Sequence, residues 1–133
     1  MTGVEMTEAE FQSAVIRLAR DLGWGIGEAA WRRQQEEAEH YSRLSGDASL
    51  LDEAASLSGL IFHPRFSVGS ESGWPDLTLV RRRDRRIVFA ELKTDRGKPT
   101  PRQSAVLELL RSVGLEAHLW RPRDMDAIAE ALR

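Results

Sequence analysis

Apolar residues at Phe11, Val15, Leu18, Ala19 and Leu22 recur at helical spacing and stop at Gly23. Thr7 supplies an N-cap and Glu10, three residues on, completes a capping box. From residue 25 to 59 the chain turns polar. Glu28–Leu44 reads as a charged helix, Gly46 breaks it, and Ala48–Leu57 reads as a shorter helix stopped by Gly59, so 25–59 is an inserted helical pair. Strand patterns follow. Leu60–Phe66 is the first, with Pro64 marking an edge or a bend, and Ser67–Gly73 is a loop. Asp76–Val80 and Ile87–Lys93 flank Arg81–Arg86, which reads as a hairpin tip. After a loop at Asp95–Pro99, residues Thr100, Pro101 and Gln103 give an N-cap, an N1 proline and a second capping box. That helix runs to about Val113, closes at Gly114 and leads to the strand Glu116–Trp120. Asp124 then caps an amphipathic helix, Met125–Leu132. Parallel pairing of the strands on either side of the Thr100 helix would make a right-handed βαβ crossover. The pattern predicts one α/β domain over 1–133, a mixed sheet flanked by helices in the order α-β-β-β-α-β-α.

Composition narrows the chemistry. The 133 residues suit one core, and 41% hydrophobic with 30% charged residues indicates a folded chain. No apolar run approaches the roughly 20 residues that span a bilayer, and no signal-peptide segment opens the chain, so a cytoplasmic protein without a membrane partner is expected. The absence of cysteine excludes disulfides, zinc–thiolate sites and thiol nucleophiles. The net charge of −2 is uneven. Residues 1–62 carry 11 acids and 5 bases, residues 63–133 carry 10 and 14, and Arg81–Arg102 holds 9 bases against 3 acids. Two readings fit this segment: an anion-binding face with nucleic acid as partner, or a solvated arginine-rich turn.

Candidate chemistry gathers at the hairpin. With its tip centred between Arg83 and Asp84, Asp76 faces Glu91 across the strand pair, with Cβ atoms about 4.5–5.5 Å apart. Carboxylates that close repel unless a proton or cation lies between them, and oxygen donors favour a hard ion such as Mg²⁺ or Mn²⁺. Lys93 shares the face of Glu91, where its ammonium can stabilise an oxyanion or orient a water. The competing reading is a cross-strand salt bridge. The apolar run Ile87, Val88, Phe89, Ala90 and Leu92 weighs against it, because it implies a buried strand where an unpaired charge is expensive. Glu8 falls on the apolar stripe of the first helix and is chosen over Glu10, which the cap already employs, as a third carboxylate.

Gly73-Trp74-Pro75-Asp76-Leu77, Phe89-Ala90-Glu91-Leu92-Lys93 and Thr100-Pro101-Arg102-Gln103 resemble the VRR-NUC branch of the PD-(D/E)XK nuclease superfamily. Glu8-Ala9-Glu10-Phe11-Gln12 and the ending Val113-Gly114 through Trp120-Arg121-Pro122 are similar too. The resemblance covers nearly all of 7–24 and 60–133. It implies a restriction-endonuclease-like core and Mg²⁺-dependent hydrolysis of DNA phosphodiesters, with Mn²⁺ able to substitute. It also implies a preference for branched or four-way junction DNA, a homodimer, and a setting in phage or bacterial replication and repair. On the matching positions it implies that Asp76, Glu91 and the Leu92 carbonyl hold metal. Lys93 is the motif lysine, Glu8 completes the metal shell directly or through water, and Gln103 is the glutamine of the following helix. The insertion at 25–59 departs from the pattern.

The remaining candidates carry two readings each. Gln103 is a helix cap, an active-site contact, or both. His63 and Arg65 share a strand face and can meet a phosphate. Lys98 and Arg102 flank the loop after Lys93 and suit backbone contacts. The hairpin arginines Arg81, Arg82, Arg83, Arg85 and Arg86 touch phosphates or are merely solvated. Trp24, Trp31, Trp74 and Trp120 read as core or interface rather than as base-stacking residues. A metal-dependent endonuclease is expected, and the alternative is a catalytically silent nucleic-acid-binding or assembly module on the same fold.

Overall fold

A computed structural model describes residues 5–27, 32, 57–63 and 73–133. The expected helices at Glu28–Leu44 and Ala48–Leu57, apart from Arg32 and Leu57, and the segment holding Pro64, Arg65 and Phe66 lie outside the described residues. The first helix, α1, spans Glu8–Asp21. Thr7 Oγ1 accepts from the Glu10 N–H and Glu10 Oε1 accepts from the Thr7 N–H, both at 3.1 Å, so the capping box is complete. At the other end Gly23 takes φ +91°, its N–H reaches the Arg20 carbonyl, and the Trp24 N–H reaches that of Ala19. This left-handed closure satisfies carbonyls the helix would otherwise leave bare.

Four strands form one sheet in the order β1-β2-β3-β4: Gly59–Phe62, Leu77–Arg81, Arg86–Leu92 and Glu116–Trp120. The first three are antiparallel neighbours, and β3 pairs with β4 in parallel across α2, Pro101–Ser112. Gly59 opens β1. A Cβ there would sit 2.6 Å from the Trp24 carbonyl and closer still to that of Val80. The chain ends with a 3₁₀ turn, Pro122–Asp124, and helix α3, Met125–Leu132. Asp124 does not cap α3 with its side chain; it accepts from the Arg121 N–H at 2.9 Å and closes the turn instead.

The sheet lies between two helical layers. Leu77, Leu79, Val88, Ala90, Leu92 and Trp120 pack with Phe11, Val15 and Ala19 of α1 and Ile128 and Leu132 of α3. Phe89 and Ala117 pack on the opposite side with Leu107 and Leu110 of α2. Period-two alternation divides β3 between these cores, each buried large side chain contributing ~1.5–3 kcal/mol. The described part is thus a mixed α/β fold with a four-stranded mixed sheet and three helices. Among the described residues no helix is long and apolar enough to cross a membrane.

Arg81 and Arg86 correct the reading of the hairpin as a solvated or phosphate-touching tip. Arg81 follows Leu77 and Leu79 onto the α1–α3 side and is only 1% exposed. Its guanidinium grips Asp84 through two bonds of 2.9 and 2.6 Å and donates to the carbonyls of Leu22, Leu132 and Arg133. It also lies 4.4 Å from the centre of the Trp24 ring. One buried cation therefore caps the C-terminal ends of both α1 and α3, where bare carbonyls and helix dipoles favour positive charge. Arg86 makes a forked pair with Glu116 and donates to the Ala131 carbonyl. Arg82, Arg83 and Arg85 remain exposed at the turn.

Candidate active site

The β2–β3 register pairs Leu77 with Ala90 and Arg81 with Arg86. One step beyond Leu77, Asp76 comes opposite Glu91, as centring the hairpin on Arg83 and Asp84 predicts. Glu91 belongs to the β3 residues that face α2, and it is 1% exposed. Its Oε1 accepts from the Gln103 side-chain amide at 3.1 Å and lies 3.5 Å from Lys93 Nζ. Asp76 Oδ2 accepts from the Leu92 N–H at 2.8 Å, and the Lys93 N–H continues to the Trp120 carbonyl at 3.0 Å.

Gln103 joins the site to α2. Its carbonyl oxygen accepts from the Thr100 N–H at 2.9 Å while its own N–H donates to Thr100 Oγ1 at 3.1 Å. The cap thereby fixes the rotamer that carries the amide nitrogen to Glu91. Cap and contact are one arrangement.

Glu91 Oε2 is buried and has no hydrogen-bond partner among the described residues. Burial, and then the adjoining Asp76 carboxyl, push the Glu91 acid up to about 8; Lys93 offsets only part of this. An ionised Glu91 in this place lacks sufficient positive charge around it. A proton relieves the deficit, and so would a divalent cation. Mg²⁺ retains several waters and needs only one or two carboxylates, so the donor set fits a hard cation.

The other expected site residues are dispersed. Glu8 is exposed in the first turn of α1, and among the described residues no cluster of three or more acidic, histidine or cysteine side chains is placed to hold a metal. This corrects the convergence of three acids. Side chains of a first helical turn lean toward the N-terminus, so a position in line with the buried stripe overhangs the core at the helix start. The approach to α1 nonetheless meets the loop after Lys93, where Glu5 pairs with Arg96 at 3.0 Å. His63 is exposed and lines a cleft with Ser13, Arg17 and Arg20, on the α1 side of the sheet and so across it from Glu91. Arg65 lies outside the described residues. Lys98 and Arg102 are exposed at the approach to and start of α2. Arg102 packs on the Gly73 turn, where a Cβ would come 2.6 Å from Arg102 Cγ.

Two residues escaped the sequence reading. Arg121 donates from one nitrogen to the carbonyls of Thr94 and Gly97, both at 2.6 Å, and so ties the loop between Lys93 and α2 to the end of β4. The signal was its place directly after a strand beside that loop, which pattern alone does not rank. Trp74 is 47% exposed, unlike the buried Trp24 and Trp120, and its ring meets Phe89 edge-on at 5.4 Å. Trp31 lies outside the described residues. No family model, curated protein or solved structure matches the chain.

Proposed function

We propose that the protein is a metal-dependent endonuclease with a restriction-endonuclease-like core, hydrolysing DNA phosphodiester bonds with a preference for branched substrates. The observation that carries this reading is the buried, partly unpartnered Glu91 carboxylate beside Asp76, with Lys93 and Gln103 on the same group. Such a cluster is costly as a mere structural feature and useful where charge must be balanced.

Asp76 and Glu91 would hold Mg²⁺, or Mn²⁺ in its place. The Leu92 carbonyl would be the third donor: the N–H and carbonyl of a strand residue point the same way, and the Leu92 N–H points at Asp76. When bound, the cation supplies Lewis-acid polarisation of the phosphate and lowers the pKa of a water. Lys93 directs its ammonium at the attacking water or a non-bridging phosphate oxygen and offsets the charge that develops there. Gln103 holds Glu91 in register with Asp76. Lys98 and Arg102 contact flanking phosphates.

The test is cleavage of duplex, single-stranded, flap and four-way DNA in Mg²⁺ against EDTA. Metal-dependent cutting that a folded Glu91→Gln or Lys93→Ala protein loses is the expected result. Full activity in Glu91→Gln would overturn the assignment. DNA binding that persists in EDTA, with no cutting in Mg²⁺ or Mn²⁺, would assign the chain to the silent binding module.

A further inference from the structure

The exposed ring of Trp74 lies on the same side of the sheet as the carboxylate pair. The ring rests edge-on against Phe89 with an interplanar angle of 87°, and Phe89 packs on the α2 side of the sheet. Phe89 precedes Glu91 by two residues on that face, a step of about 6.6 Å along a strand. The edge contact holds the indole while leaving about half of the side chain in solvent. Arg102, an exposed cation, packs against Gly73 next door. A flat ring seated on Phe89, an exposed guanidinium side chain packed on the neighbouring Gly73, and the Asp76–Glu91 pair thus gather on one side of the sheet.

We infer that Trp74 is a stacking platform for the nucleobase next to the scissile phosphate, so that the preferred substrate is a strand whose base is free to leave the stack. A fully paired duplex hides its base faces, whereas a single strand, a flap or a junction arm offers one. The inference deepens the proposed function and rests on its reading of the partner as nucleic acid. Stacking on an aromatic side chain is sequence-tolerant and strong enough to change affinity about tenfold per base.

The experiment is binding in EDTA, where no metal supports cleavage, of an oligothymidylate single strand and a blunt duplex to wild type, Trp74→Leu and Trp74→Phe. Circular dichroism and melting verify that each variant is folded. Trp74→Leu fills space without a ring face, and it should lower the single-strand to duplex affinity ratio about tenfold, while Trp74→Phe stays within about threefold of wild type. An unchanged ratio in folded Trp74→Leu, or equal loss in Trp74→Phe, overturns the inference. Cleavage is not the readout, so the two ideas fail separately. A chain that never cuts can still show the Trp74-dependent ratio, and one that cuts can lack it.

Discussion

Gln103 donates to Glu91 Oε1 at 3.1 Å with the same side chain whose other end accepts from the Thr100 N–H. The start of a helix is thereby wired to a buried acid on the neighbouring strand. Glutamate serves a capping box as well as glutamine does, but it replaces the donor to Glu91 with a second carboxyl. Gln103→Glu should therefore melt near wild type at pH 5 and clearly below it at pH 8 without metal. Gln103→Ala keeps the Thr100 Oγ1 bond but loses both the acceptor for the Thr100 N–H and the donor to Glu91, so it should cost about 1–3 kcal/mol, more at pH 8 than at pH 5. Thermal melts of the three proteins separate the two roles.

The raised acid of Glu91 makes stability depend on pH in an unusual direction. The folded chain keeps this proton up to about pH 8, whereas the unfolded chain releases it near 4.5. Between those values the unfolded state binds fewer protons, so the Glu91 contribution falls as pH rises from 4.5 to 8 and then levels off. Denaturant titrations in EDTA should show that decline, and Glu91→Gln should flatten it. Added Mg²⁺ should recover most of the loss at pH 8, because it replaces the proton.

Arg81 predicts a fold effect distinct from any binding effect. Truncation to Ala would take the Arg81 donor from the Leu22 and Arg133 carbonyls, leave the Leu132 carbonyl with its Trp24 Nε1 bond, and remove the nearer of the two guanidinium groups over Trp24. Urea unfolding should record a loss of about 3 kcal/mol or more. Arg83→Ala, at the exposed turn, should fall within about 0.5 kcal/mol of wild type.

The parts of the fold written in short-range chemistry were legible before the structure. Thr7–Glu10 and Thr100–Gln103 mark both helix starts because a capping box needs only three residues of separation. Gly23 and Gly114 mark the ends because both take positive φ, +91° and +87°. Centring the arginine tip set the β2–β3 register and so put Asp76 opposite Glu91. What failed depended on tertiary placement. Five arginines in six positions look like a solvated turn, yet the alternation of Leu77, Leu79 and Arg81 sends one of them inward to two helix ends. Glu8 had the right angle on its helix but the wrong depth, since α1 begins beyond the edge of its core. Trp74 looked like the other tryptophans until its neighbours fixed which side of the sheet it occupies.

The account stands on the claim that Asp76 and Glu91 share a divalent cation. Electron paramagnetic resonance of free Mn²⁺ titrated with protein at pH 8 measures that claim directly. Wild type should deplete the free-ion signal at a saturating stoichiometry, and folded Glu91→Gln and Asp76→Asn should leave it nearly intact. A wild-type protein that leaves the signal untouched, or variants that deplete it equally well, would contradict the account.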